Sequence, residues 1–283
     1  MSVLSNYLIN GNNEPLSPFD RGFTYGDGVF RTLPIHHGKP DCWVLHYSKL
    51  VNDCMVLGIV CPDESLLLSD IEKLFCASGL PDETHAVAKI IVTRGIGERG
   101  YALPQQATPN RMVIKSSFPD YPVNNFSKGV RLHTCETRLG LQPKLAGIKH
   151  LNRLENVLAR MEWQDKKVAD GVMLDTNYYV IECTTCNIFA RFGNNLITPD
   201  LSECGVAGVT RQRIIDLAPN LGLLPIVQKI TLAELLKADE VVICNSLLGA
   251  WQVAELNNKI WLTNNSIRHL AEDLRKILLV PCD

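Results

Sequence analysis

Nowhere in the 283 residues does an apolar run approach the roughly 20 residues that a membrane-spanning helix needs. There is no surplus of positive charge either. Lys and Arg number 28 against 30 Asp and Glu, so the chain carries no basic footprint for nucleic acid or an anionic membrane. The opening residues, "MSVLSNYLINGNNEP", lack the basic stretch and apolar core of a secretion signal. Around the CxxC formed by Cys183 and Cys186 in "IECTTCNIF" there is no second pair and no suitably spaced histidine, which argues against a zinc site. We therefore expect no metal, no nucleic acid, no membrane and a cytoplasmic protein. Its ten cysteines are expected to be reduced thiols, mostly packed as small hydrophobes.

What is present is ordinary for a globular protein: 46% hydrophobic and 20% charged residues. The length suits one large domain or two modest ones. Strand-like runs open the chain, with turns at Asn10-Gly11 and His37-Gly38. Residues 43–57 read as a helix with Leu45, Leu50, Val51, Cys54, Met55 and Leu57 on one side, and 64–78 as another. Strands are expected at 86–94, 111–117, 130–138, 171–175, 178–183, 187–192, 224–229, 239–244 and near 251–262. Helices are expected at 152–167, 209–221, 231–237 and 266–279. Strands and helices mix without a βαβ rhythm, which favours two α+β domains. The turn-rich "FPDYPVNNFSKG" is the linker expected between them. The division is then 1–117, a linker at 118–129, and 130–283.

"TRGIGERGY" contains Gly95-x-Gly97-x-x-Gly100 behind an apolar strand. A dinucleotide fingerprint needs a helix directly after it. Pro104 and Pro109 interrupt any such helix, so the loop reads as an irregular strand connection. Arg94 and Arg99 with Tyr101 suit a small carboxylate ligand as well as they suit plain exposed loop charge.

"LAGIKHLNRLENVLARMEW" places Lys149 just ahead of a predicted helix. Asn152 and Glu155 have capping-pair spacing, and Leu154, Val157, Leu158 and Met161 are expected to form the buried stripe. At its ordinary pKa only about four in ten thousand lysine amines are neutral at pH 7. Burial, a neighbouring cation or an imine removes that obstacle. Pyridoxal 5'-phosphate uses the last, and then requires a partner for its pyridine nitrogen and a cradle for its phosphate. Glu182, in an apolar strand run, suits the first. Gly205, Gly208 and the helix starting near Val209-Thr210 suit the second, with a hydroxyl from Ser246. Each also has a plain structural reading: an edge ion pair, a helix cap, a turn residue.

In order, "FDRGFTYGDGVFRT", "TRGIGERGY", "AGIKHLNRLENVL", "IECTTCNIF", "GVAGVTRQRI" and "ADEVVICNSL" resemble the fold-type IV pyridoxal phosphate family of branched-chain and D-amino acid aminotransferases. Within it they resemble most the branch of lyases acting on 4-amino-4-deoxychorismate. The resemblance covers nearly the whole chain. It implies a two-domain α+β fold (D-amino acid aminotransferase-like) with the cofactor between the domains and Lys149, in the C-terminal one, as the Schiff-base lysine. It implies Glu182 at the pyridine nitrogen, and Val209, Thr210 and Ser246 at the phosphate. In "LHYSKL" the family's usual phosphate-binding arginine is replaced by Lys49, which supplies charge without a bidentate fork. Arg99, with Tyr101 beside it, takes the place of a substrate-carboxylate arginine, and Thr32 that of a proton donor near Lys149. The implied reaction forms 4-aminobenzoate and pyruvate, as in folate biosynthesis, in a homodimer. The alternative on the same scaffold is a D-amino acid or branched-chain aminotransferase.

Overall fold

The structure, a computed structural model, describes residues 6–75, 85–261 and 270–282. It divides into two compact units. The first comprises Met1–Pro119, Ile148–Asn152 and Cys282–Asp283. Its elements are β1 (Tyr7–Ile9), α1 (Arg21–Tyr25), β2 (Gly28–His36), β3 (Lys39–Pro40), α2 (Trp43–Leu57), α3 (Glu64–Phe75), β4 (His85–Thr93) and β5 (Asn110–Ser117). The strands form an antiparallel sheet in the order β1-β5-β4-β2-β3. His37 and Gly38 take positive φ at the β2–β3 turn, as a tight hairpin requires. Leu33 and Ile35 from β2, Leu50 and Cys54 from α2, and Leu67 and Ile71 from α3 share one core with β4.

α2 has the expected bounds but a different buried face. His46, Leu50, Asp53 and Cys54 are buried, whereas Val51 and Met55 are exposed. Hydrophobicity alone misplaced this face, because two polar side chains are buried on it. α1 is too short to show a period and was not expected. Asp20 caps it, accepting from the Gly22 and Phe23 amides, and Gly26 ends it in the left-handed region.

The segment 148–152 departs from the expected division, which put Lys149 in the C-terminal domain. It belongs to the first unit because it pairs with β2. The Phe30 amide donates to the Lys149 carbonyl at 2.9 Å, and the Leu151 amide to the Gly28 carbonyl at 2.9 Å. Cys42 and Cys282 form a disulfide. That corrects the expectation of thiols throughout: these two positions are 240 residues apart, and their proximity is not visible in sequence.

The second unit comprises Asp120–Gly147 and Arg153–Pro281. Its elements are α4 (Val123–Ser127), β6 (Val130–Leu139), α5 (Leu154–Arg160), β7 (Val168–Asp175), β8 (Val180–Cys183), β9 (Asn187–Phe192), β10 (Asn195–Pro199), α6 (Val209–Leu217), a 3-10 turn (Ala218–Leu221), β11 (Leu224–Gln228), α7 (Leu232–Leu235), β12 (Glu240–Asn245), β13 (Gly249–Leu256), β14 (Lys259–Ile260) and α8 (Leu270–Leu278). The sheet order is β11-β10-β9-β12-β13-β6-β7-β8, with β14 on β13. β10–β11, β13–β6 and β6–β7 are parallel and the other pairs antiparallel. The expected linker lies partly in α4, and β10 is a strand that the periodicity did not reveal. The ends of the helices expected at 64–78 and 266–279, residue 262 of the strand expected near 251–262, and Cys76 lie outside the described residues.

α5 is shorter than expected, and its capping pair does not form. The Asn152 side chain donates instead to the Gly26 carbonyl at 3.1 Å, and Glu155 accepts from the Gly140 amide at 2.9 Å. Leu154, Val157, Leu158 and Met161, expected to be buried, are exposed, with Leu154 76% accessible. The inner face of α5 is instead represented by Ala159.

Candidate active site

On the first unit the residues expected to do chemistry gather on one face of β2. The Lys149 Nζ lies 4.6 Å from the centre of the Phe30 ring. Thr32 is two residues further along the strand and so faces the same way. Lys89 stands directly opposite Thr32 on β4, with its Nζ 5.1 Å from the same Phe30 ring. Lys89 was not singled out from the sequence, where it is one lysine inside an apolar strand; the signal was the cost of putting a charge there.

The backbone on either side of the Lys149 side chain is held. Its carbonyl accepts from Phe30, and its amide donates to Asp53 Oδ2 at 3.0 Å. Asp53 also pairs with Arg31, and Arg31 Nη2 donates to the Lys49 carbonyl at 3.2 Å. Burial pushes the Asp53 carboxyl above its ordinary range, and Arg31 opposes that shift. His46, one turn before Lys49 on α2, is pulled down to about 3, first by burial and then by the charges of Arg31 and Lys149. It is therefore a neutral imidazole at pH 7.

The second unit presents a different set. Glu182 is 4% accessible on β8, and its Oε2 accepts from the Val206 amide at 2.9 Å. Arg153 is a neighbouring charge of the same unit; burial draws its pKa down and Glu182 opposes this. Asn187, the last residue of "CTTCN", joins the parts. Its Oδ1 accepts from the Gly208 amide at 3.1 Å, and its Nδ2 donates to the Val206 carbonyl at 2.8 Å. A side chain at Gly208 would collide with the Asn187 Oδ1, and one at Gly205 would come within 2.6 Å of Ile181. Gly208 precedes the nine residues of α6 without a side-chain cap, so the first-turn amides at Val209 and Thr210 receive no capping oxygen from it. Asn187 pairs with Cys244 across β9 and β12. Ser246 follows in the turn after β12, a turn closed by the Asn245 side chain, which accepts from the Leu247 and Leu248 amides. Asn187 went unnoticed because an asparagine in a strand run has no period to betray it.

The cysteines of the CxxC are buried and their thiols pushed well up by that burial. The turn between them is tied instead by Asp170, which accepts from the Thr184 and Thr185 hydroxyls. The glycine loop folds back on its own unit. Arg21 donates to the Gly100 and Ala102 carbonyls at 3.1 and 3.3 Å, and the Gly100 amide donates to the Tyr25 hydroxyl. No helix follows Gly100 before β5. Arg94 is not available to a ligand: its guanidinium grips Asp27 at 2.7 and 3.0 Å and the Gly58 carbonyl. Arg99 and Tyr101 are exposed, Tyr101 to 85%.

Each unit carries groups whose chemistry suits part of a phosphorylated pyridine aldehyde. On the first unit a lysine with a clamped backbone suits an aldehyde; on the second a buried carboxylate suits a ring N–H, and a helix start without a side-chain cap beside two glycines suits a phosphate. Residues 28–256 match the amino-transferase class IV family. The chain belongs to the amino-transferase class IV family. The fold-type IV architecture and the pyridoxal 5'-phosphate dependence expected from sequence come with that membership. Among relatives in this family, an aminodeoxychorismate lyase from Vibrio harveyi is 38% identical over 90% of this chain and 93% of its own. The crystal structure of 4-amino-4-deoxychorismate lyase from Pseudomonas aeruginosa superimposes with a TM-score of 0.89 at 40% identity, covering 96% of this chain and 97% of that one. The branched-chain amino acid aminotransferase of Escherichia coli shares the fold, with a TM-score of 0.82 at 18% identity and coverage of 97% and 92%.

Proposed function

We propose that the chain is a pyridoxal phosphate-dependent lyase that converts 4-amino-4-deoxychorismate to 4-aminobenzoate and pyruvate, the former a precursor in folate biosynthesis. The reading rests on likeness to two such lyases over at least nine-tenths of the chain. It is supported by an amine and a hydroxyl on one face of β2, at Lys149 and Thr32. In this reading Lys149 binds the cofactor covalently, and Glu182, Lys49, Val209, Thr210 and Ser246 hold it. When bound, the cofactor withdraws electrons from the substrate nitrogen and so acidifies the neighbouring C–H.

The protein's own groups then move protons. Lys149 Nζ takes the proton from the ring carbon that bears the amino nitrogen. The enolpyruvyl ether leaves from the adjacent carbon, and the ring becomes aromatic. The Thr32 hydroxyl, on the same strand face as Phe30 and the Lys149 amine, gives its proton to the methylene carbon of the departing enolate, which becomes pyruvate, and the proton taken by Lys149 restores the hydroxyl. Lys89 makes that face more positive and suits a substrate carrying two carboxylates. Arg99 and Tyr101, on the loop held by Arg21, supply a second carboxylate contact.

The exposed stripe Leu154, Val157, Leu158 and Met161 on α5 supports a homodimer, because a monomer rarely leaves so many large apolar side chains of one short helix in water. No helix among the described residues is long and apolar enough to cross a membrane. We place the protein in the cytoplasm.

The deciding experiment supplies 4-amino-4-deoxychorismate to the purified holoenzyme and follows pyruvate and 4-aminobenzoate together. Equal amounts of both are expected. Sustained amino transfer from D-alanine or a branched-chain amino acid to 2-oxoglutarate, with no pyruvate from aminodeoxychorismate, refutes the lyase in favour of the aminotransferase.

A further inference from the structure

The Arg31–Asp53 ion pair is almost wholly buried, Arg31 at 3% and Asp53 at 1% accessible. Such a pair is a poor way to gain stability, since apolar residues of similar volume usually serve as well or better. What distinguishes this pair is where its remaining bonds go. Asp53 Oδ2 accepts the Lys149 amide, and Arg31 Nη2 donates to the Lys49 carbonyl. The Asn52 side chain adds a further donor to Asp53.

β2 and α2 hold the Lys149 backbone from two sides. Phe30 and Gly28 bond the Lys149 carbonyl and the Leu151 amide, and the Lys149 amide donates to Asp53 Oδ2 on α2. A backbone amide inside a fold needs an acceptor, and a carboxylate makes a stronger one than a neutral carbonyl. α2 places His46, Lys49, Leu50 and Asp53 at i, i+3, i+4 and i+7, on one side of the helix. The neutral His46 adds no second positive charge beside Arg31.

We propose that Arg31 and Asp53 are positioning residues that lock the Lys149 backbone to the Lys49 backbone, so that the amine and the phosphate-facing lysine keep one spacing. The proposal rests on the lyase reading for the roles of the two lysines. The network's hydrogen bonds to the two lysines run to their backbones, and the Lys49 charge also acts on Asp53. Loss of the lock lets the Lys149 segment shift along β2, which lowers turnover more than it weakens substrate binding, because proton transfer is steeply sensitive to the position of the base.

The test replaces the pair by apolar residues, Arg31→Met with Asp53→Leu, so that no charge is left buried alone. Amide hydrogen exchange at Lys149 in the cofactor-free protein is read beside kcat, KM and the thermal midpoint of the holoenzyme. The double variant is expected to stay folded, its thermal midpoint lowered by no more than about 8 °C, while Lys149 exchange accelerates about tenfold or more, the equivalent of one lost hydrogen bond. Its kcat is expected to fall by at least about tenfold with KM changed far less. Wild-type exchange and wild-type kcat in the folded double variant would overturn the proposal. Should that variant not fold, Arg31→Lys retains the charge but cannot span both Asp53 and the Lys49 carbonyl with one planar group. It is expected to lower kcat and the affinity of the apoprotein for pyridoxal phosphate; wild-type values of both overturn the proposal. If the wild type makes no pyruvate, the lyase reading fails, while Lys149 exchange still decides whether the lock exists.

Discussion

At the residue scale the proposed chemistry rests on two side chains that differ in how visible they are. Lys149 stands out because a lysine precedes a helix in a segment followed by a carboxylate and glycines that suit the same cofactor. Lys149→Ala is expected to abolish turnover and to leave no cofactor attached after borohydride treatment, read by intact-protein mass. Turnover at the wild-type rate in that variant would contradict its role. Asn187 is silent in the sequence, yet it holds the Gly208 amide and the Val206 carbonyl with one side chain. Asn187→Ala leaves both without that partner, at about 1 kcal/mol for each hydrogen bond. The affinity for pyridoxal phosphate, measured by fluorescence titration of the apoprotein, is expected to fall about tenfold or more. Unchanged affinity would mean that the glycine turn holds its shape unaided.

At the element scale α5 carries the clearest prediction. Its apolar residues point to solvent, so charge placed on them is expected to disturb assembly and leave the fold of the unit intact. Leu158→Glu with Met161→Glu should shift the protein from dimer to monomer in sedimentation velocity, with the far-ultraviolet circular dichroism preserved. A wild-type sedimentation coefficient would move the dimer contact elsewhere. The same helix shows the limit of pattern reading. Asn152 and Glu155 sit at the spacing of a cap, but each bonds a backbone group distant in sequence. Two acceptable local partners were outcompeted by non-local ones, Gly26 and Gly140. Hydrophobic period marks an amphipathic helix, and it does not say whether the apolar side meets a core or another chain.

At the scale of the whole molecule, stability is linked to pH through His46. Its folded pKa is about 3 against an ordinary 6.5, chiefly through burial. The unfolded chain therefore takes up a proton as pH falls through 6.5, and the folded protein does not until about 3. Stability is full above the upper value and is lost progressively across that window, by at most about 1.4 kcal/mol per pH unit. The thermal midpoint should fall between pH 6.5 and pH 4.5, and His46→Gln should flatten the slope relative to wild type. Equal slopes in the two proteins would show that His46 is not the titrating group. A disulfide between residues 240 apart is likewise a property of the molecule and of no single segment.

Much was legible from local rules. The α2 helix, the long strands of both units, the hairpin at His37-Gly38 and the start of α6 follow from periodicity and turn chemistry, which act over a few residues. So did the irrelevance of the glycine fingerprint, since two prolines forbid the helix it needs. Lys149, Glu182, Val209, Thr210 and Ser246 are proposed as the site because their order along the chain is itself a pattern. Only tertiary structure decided that Lys149 belongs with β2, that Arg94 is consumed by Asp27, and that α2 turns Asp53 inward and Met55 outward. It alone joined Arg31, Asp53 and the two lysine backbones. These outcomes depend on which buried donor finds which acceptor, and that competition is settled only when distant segments have been brought together.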